Sequence, residues 1–267
     1  MHNDPNGTPH EDYGGLLRDL RSTGEAMNRR QLLHFAASVG ALALLGCNKS
    51  AATATDGGNA NCSKIPQETA GPYPAEGSNG PNVLNQTGVV RSDIRSSFAG
   101  LSGSADGIPL TIALSLVSAA SCAPLGARAV YLWHCDKLGR YSLYSGGVTN
   151  RNYLRGVQET DSTGRVSFIS IFPACYAGRW PHIHFEVYPS LAAATNVANK
   201  IATSQIALPK AVCDAVYATA GYEQSVTNLS QITLANDMVF SDGSSQQLAS
   251  MSGTVSGGYM ATLTAAV

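Results

Sequence analysis

The stretch GRWPHIHF, Gly178 to Phe185, sets two histidines one residue apart in a short apolar run, just after an arginine and a proline. Strand alternation puts His182 and His184 on one face and Ile183 and Phe185 on the other. Such a face can hold a metal; the alternative is the solvated side of an ordinary strand. Tyr176 lies six residues before His182, on the loop leading into that strand. Tyr141, in GRYS, ends another segment of strand character, with Tyr144 and Tyr153 nearby. A neutral phenol is a poor ligand near pH 7, but a hard, highly charged cation lowers its pKa and binds the phenolate oxygen. Two phenols with two imidazoles therefore point to Fe(III), because oxygen anions favour the ferric state and neutral nitrogens complete the shell without adding charge. Two phenolates and one hydroxide balance its three charges.

The elements that must position these groups read mostly as strands. In LTIALSLVS, Leu110, Ile112, Leu114 and Leu116 alternate with Thr111, Ala113 and Ser115, the pattern of a strand with one buried face. ARAVYLWHCD follows a turn at Pro124 to Gly126, and LRGVQETDSTGRVSFISIF sets the turn Asp161 to Gly164 between two strand-like segments. The tail repeats the theme: DMVF, the turn SDG, QQLASMSGTV, then Gly257 and Gly258 before YMATLTAAV. One region reads as helix, KAVCDAVYATAG, where Val212, Val216 and Tyr217 recur near helical spacing after Pro209 and before Gly221. Short strands with regular turn signals predict a mainly β, single-domain β-sandwich of mixed strands with short helices and long loops. No repeat and no second-domain boundary is visible, so the folded domain is expected over 62–267.

The chain has 267 residues, 44% hydrophobic and 13% charged, with a formal net charge of −1. That balance suits a globular chain, and the lack of a basic patch argues against nucleic acid as a partner. Residues 1–46 read as an export signal: Arg29 and Arg30 precede an apolar stretch too short to span a bilayer comfortably, and small residues end at Cys47. The paired arginines resemble a twin-arginine signal, and LLGC resembles a lipobox whose Cys47 becomes a lipid anchor. Either Met27 is the true start or the segment before the arginines is unusually long. Removing residues 1–46 leaves 13 basic and 13 acidic side chains, a neutral remainder. Residues 47–61, with AATATDGGNAN, read as a flexible tether. The expected location is periplasmic or cell-surface, touching the membrane only through lipid. Beyond Cys47 the cysteines are Cys62, Cys122, Cys135, Cys175 and Cys213, an odd number, so at least one stays unpaired. Cys62 is expected to pair with Cys122, since both sit just outside predicted strands.

GRYS, TDSTGRVSF, FPACY and R-x-x-HIHF, in that order and at close spacing, resemble the intradiol ring-cleavage dioxygenases. The upstream PQETAGPYP, Pro66 to Pro74, is similar to that family's ETxGPYY signature. The resemblance runs from about Gln67 to the C-terminal hairpin and is strongest from Val130 to Val187. It implies that Tyr141, Tyr176, His182 and His184 are the ligands of a non-haem Fe(III). It selects Tyr141 over Tyr144 and Tyr153 through the GxYS motif, and it makes Arg179 the active-site arginine, whose plainer alternative is a surface salt bridge. Gln205, in ATSQIALP, matches an element that lies near the substrate. His134 reads as a satisfied sheet residue, and Glu186 and Tyr188, on the histidine face, are expected to continue toward solvent. Ala174 and Cys175 stand where many relatives carry glycine and a bulkier residue, and a cysteine there is a candidate disulfide partner or oxidation site. The helical dimerisation region of the cytosolic catechol dioxygenases has no counterpart, so their oligomeric state is not carried over.

The resemblance further implies that a catechol-type diol binds through both oxygens, displaces hydroxide and Tyr176, and reacts with O2 to give a muconate-type dicarboxylate. Arg179 would stabilise the negative charge that develops on the bound substrate. The main rival is a non-catalytic β-sandwich binding module of a surface lipoprotein. A cupin-like His-x-His enzyme lacks the glutamate and glycine spacing it requires after the histidines.

Overall fold

The computed structural model describes residues 62–267. Its strands in chain order are β1 (Pro109–Val117), β2 (Ala129–Trp133), β3 (Arg155–Glu159), β4 (Arg165–Ile171), β5 (His182–Tyr188), β6 (Ala202–Ala207), β7 (Ser250–Thr254) and β8 (Gly258–Ala266). They form two four-stranded sheets, β4-β1-β8-β7 and β3-β2-β5-β6. β1 and β8 run parallel and the remaining pairs antiparallel, so the sandwich is mixed as expected. Two short helices, α1 (Lys210–Tyr217) and α2 (Glu223–Leu229), lie between β6 and β7. No helix among the described residues is long and apolar enough to cross a membrane.

The alternation in β1 does what it predicts. Leu110, Ile112, Leu114 and Leu116 are buried between the sheets, and Thr111, Ala113 and Ser115 are half-buried on the other face. They pack with Phe168 of β4, Leu132 of β2, Phe185 of β5 and Ile206 of β6 in one apolar core shared by both sheets. The β3–β4 turn falls where Asp161 to Gly164 predicts. Gly164 adopts φ +76°, and a Cβ there would meet the Leu116 carbonyl oxygen at 2.4 Å, so glycine is required.

The second sheet is buried on both faces, which strand periodicity alone does not reveal. Its inner face carries Leu132, Ile183, Phe185 and Val187. Its outer face carries Tyr131, Trp133 and Tyr188 under a layer built from Tyr73, Ala75, Val83, Leu84, Val89 and Phe98. That layer begins where Cys62 N and Ile65 N donate to the carbonyls of Ala119 and Ala266, and continues where Glu68 N donates to Thr203 O. Glu186 and Tyr188 therefore do not continue toward solvent. Both are buried under this layer, with Glu186 bonded to Lys200 Nζ at 3.0 Å and to the Tyr188 hydroxyl at 2.6 Å.

Three further expectations change. DMVF is not a strand: Asp237 Oδ1 accepts from the backbone N–H groups of Val239 and Phe240, closing a turn in place of a ladder. The predicted helix ends at Tyr217, and it buries Cys213 where Val212 was expected, beside Val216 and Tyr217. Tyr141 does not end a strand, since β2 stops at Trp133 and the tyrosine lies eight residues further on.

Cys62 and Cys122 form a disulfide, and Cys135, Cys175 and Cys213 are free and buried. The bond ties the start of the covering layer to the segment just after β1, across a separation of 60 residues. Cys122→Ser is expected to lower unfolding free energy by about 2–5 kcal/mol, read from denaturant titration under non-reducing conditions. A loss below about 1 kcal/mol would show that the layer is held without the bond.

Candidate metal centre

β5 presents His182 and His184 on the outer face of its sheet. On β2 the residue opposite His184 is Trp133, whose ring stacks on the imidazole at 4.9 Å and 5° and on Tyr131 at 4.9 Å and 23°. His182 Nδ1 lies 2.5 Å from the Trp180 carbonyl oxygen. A carbonyl only accepts, so Nδ1 carries the proton and Nε2 presents a lone pair. His182 Nε2 faces His184 Nε2 at 3.1 Å. His184 Nδ1 has no hydrogen-bond partner among the described residues, so its ring plane is set by the indole stack. Burial holds both imidazoles well below the usual histidine range; for His182 the Arg179 charge is the next cause, and for His184 the neighbouring His182 and then Arg179. Both are neutral and available as donors.

The phenols close the group. Tyr141 Oη lies 3.4 Å from His182 Nε2 and 3.2 Å from His184 Nε2, and Tyr176 Oη lies 3.2 Å from His182 Nε2. The loop carrying Tyr141 is folded around Asp136, which accepts from the N–H groups of Leu138 and Arg140, from Arg140 Nε and from the Tyr153 hydroxyl. Tyr153 is thereby committed elsewhere. Tyr144 is too: its hydroxyl accepts from Ala75 N and donates to Asn79 O. Of the three tyrosines, Tyr141 is the one that meets the histidines.

Tyr176 is placed from α2. Ser225 Oγ accepts from Cys175 N at 3.1 Å, and Asn228 Nδ2 donates to Cys175 O at 2.8 Å. Gly178, at φ +81°, then turns the chain so that Arg179 N reaches the Tyr176 carbonyl at 3.3 Å. Cys175 is free rather than disulfide-bonded, and burial pushes its thiol up to about 12, so it stays a neutral packing group. Tyr176 also borders a cavity of about 470 Å³ lined by Lys137, Ala177, Gln224 and Asn228 among others.

Arg179 is no surface ion pair. It is wholly buried, with Nε on Asp237 Oδ2 at 3.0 Å and Nη2 on Gln205 Oε1 at 2.6 Å. Gln205 sits on β6 directly opposite His184 and passes its own N–H to the Thr69 carbonyl, inside the PQETAGPYP segment. His134, as expected, is satisfied, with Nδ1 on Cys135 O and Nε2 on Ser170 Oγ, both at 2.7 Å, and burial takes its pKa to about 4. Sequence reasoning missed Asp237, which carries no motif. It also missed Trp133, although alternation with Tyr131 in β2 marks it as a neighbour on the same face.

The donor set fits a single ion. Imidazole–metal bonds are about 2.0–2.1 Å, so neighbouring donors on one ion stand roughly 3 Å apart, as these do. Among the described residues no three His, Cys, Asp or Glu side chains group together. Half of this set is phenol, which suits a hard trivalent cation and not a soft one.

The dioxygenase family model Dioxygenase_C matches residues 79–197. Among solved structures, the intradiol ring-cleavage dioxygenase from Tetranychus urticae superimposes with a TM-score of 0.61 at 24% identity, over 77% of this chain and 94% of that one. A second dioxygenase crystal structure gives the same score, identity and coverage. The dioxygenase domain of a carbohydrate-binding fusion protein from Streptomyces sp. SirexAA-E matches at 0.47 and 20%, over 77% of this chain and 98% of that one. No curated protein sequence matches the chain. The two likenesses at a TM-score of 0.61 show the fold; the site is read from its own residues.

Asp237→Ala removes the buried carboxylate that accepts from Arg179 Nε and from Trp180 N. Urea unfolding is expected to show about 3–5 kcal/mol of lost stability. A change under about 1 kcal/mol would mean that the pair is not sealed from water.

Proposed function

We propose that the chain is an intradiol ring-cleavage dioxygenase, a non-haem Fe(III) enzyme that opens a catechol-type ring with O2, a reading supported by the family-model match and the shared fold. The observation that carries this reading is the meeting of the Tyr141 and Tyr176 oxygens with two neutral imidazole nitrogens at 3.2–3.4 Å, next to a buried arginine. Tyr141, Tyr176, His182 and His184 would hold the ion. When bound there, ferric iron makes the doubly deprotonated diol accessible near neutral pH and draws electron density from the ring, which opens it to O2.

The residues of the chain supply the rest. By the family resemblance, Tyr176 would be the phenol that gives way to the diol and takes up a substrate proton at Oη. Tyr141, boxed in by the rings of Tyr73 and Tyr176, stays. Arg179 holds its charge against the histidines, anchored by Asp237 and Gln205, and steadies the negative charge that builds on the diol oxygens. Gln205 orients that guanidinium and does not itself need to touch substrate. Both oxygen atoms of O2 enter the product, the bond between the two hydroxylated carbons breaks, and two protons leave as the muconate-type dicarboxylate forms.

We also propose that the protein acts outside the cytoplasm, exported by the Arg29–Arg30 signal, with Cys47 as lipid anchor and 47–61 as tether; these positions lie outside the described residues. The Cys62–Cys122 disulfide supports an oxidising compartment.

Iron-replete protein is expected to show a visible phenolate-to-iron charge-transfer band that shifts when catechol is added. Removing the iron with a chelator should bleach the band and stop O2 uptake together. Tyr141→Phe or His184→Ala should abolish both, while Tyr153→Phe should keep them. A pure sample with full iron content and no band would refute the reading.

A further inference from the structure

Arg155 opens β3 and is wholly buried. Its four hydrogen bonds all run to neutral oxygens: Nε donates to Ser142 Oγ at 3.1 Å, Nη2 to Ser142 O at 3.0 Å, and Nη1 to Pro74 O at 2.9 Å and to the Tyr131 hydroxyl at 3.2 Å. Arg179, the other wholly buried arginine among the described residues, has a carboxylate against it. A guanidinium taken out of water with no carboxylate partner is costly, and its retention calls for a physical reason.

The segments it joins supply that reason. Ser142 follows Tyr141 directly, and its hydroxyl is fixed further by donating to Tyr153 O at 2.7 Å. Pro74 follows Tyr73, whose ring lies 5.0 Å from that of Tyr141, and the Tyr131 hydroxyl donates to the same Pro74 carbonyl at 2.6 Å. One guanidinium thus grips the chain beside the Tyr141 phenol and the chain behind the ring that packs on it. Its own anchorage is the sheet row that holds the histidine: Arg155 pairs with Trp133, and Trp133 pairs with His184. Loop and covering layer meet at this side chain, and the sheet row links it through Trp133 to the histidine strand. Arginine suits the task because its planar fork directs several N–H donors at fixed angles, which the single ammonium of lysine does not reproduce.

We infer that Arg155 is a positioning residue that sets the Tyr141 phenol at its distance from the His182–His184 pair. Its spectroscopic consequence rests on the ferric reading above; its geometric consequence does not.

The test is Arg155→Lys, examined by circular dichroism for folding, by a crystal structure, and by iron titration with the visible spectrum. The separation of Tyr141 Oη from His184 Nε2, 3.2 Å in the unaltered protein, is expected to widen. Iron affinity is expected to fall about 10- to 100-fold, with the charge-transfer band shifted, as for other groups that orient a ligand from behind. A folded Arg155→Lys protein with the separation and the affinity both unchanged overturns the inference. If Arg155→Lys does not fold, Ser142→Ala and Tyr131→Phe each remove one acceptor of the fork. A widened separation in either supports the inference, and an unchanged one in both overturns it. If the unaltered protein takes up no Fe(III), the ferric reading fails, and the separation measured in metal-free crystals still decides the role of Arg155.

Discussion

Two imidazole nitrogens face each other at 3.1 Å in a place closed to water, with the positive charge of Arg179 nearby and two phenol oxygens within 3.4 Å. Protonating both rings there would bury two more cations beside a third, so both stay neutral. Without a metal the two phenol hydroxyls can donate to the two imidazole nitrogens, Tyr141 to His184 and Tyr176 to His182, and the same four atoms stand close enough to share one cation, a trivalent one being matched by phenolates. The remainder of the fold serves to keep these four groups together when no metal holds them.

The sandwich does this by giving one sheet two buried faces. The inner face of β5 locks the strand through Ile183, Phe185 and Val187, so the pleat fixes the direction of both histidines. On the outer face each remaining donor comes from a loop that is fastened from behind. Asp136 and Arg155 hold the Tyr141 loop, and Ser225 and Asn228 of α2 hold the segment that ends in Tyr176. Asp237 holds Arg179 at Nε and Gln205 holds it at Nη2. Polar groups of this kind, satisfied on every side, are rigid; half satisfied, they would be a source of disorder.

Local pattern made the strands and the donor types legible. β1 and the β3–β4 turn follow from alternation and from Asp161 to Gly164, and the His-x-His face follows from the strand period. Tyr141 was separable from Tyr144 and Tyr153 only through the GxYS resemblance, because spacing says nothing about which hydroxyl is consumed by Asp136 or by the Ala75 segment. The fate of Glu186 and Tyr188 was illegible for a related reason. Whether an outer sheet face meets water depends on the course of residues 62–98, a long-range packing fact absent from the strand itself. DMVF misled because its apolar residues suit a strand, while Asp237 is drawn off by a guanidinium 58 positions away.

The central claim is that these residues, with iron, open a diol-bearing ring between its two oxygenated carbons. Reaction of the iron-loaded protein with catechol under 18O2, followed by mass spectrometry of the product, tests this most directly. The account predicts an acyclic dicarboxylate carrying two 18O atoms, one in each carboxylate. A ring cleaved beside the diol, or a quinone without label, would contradict it.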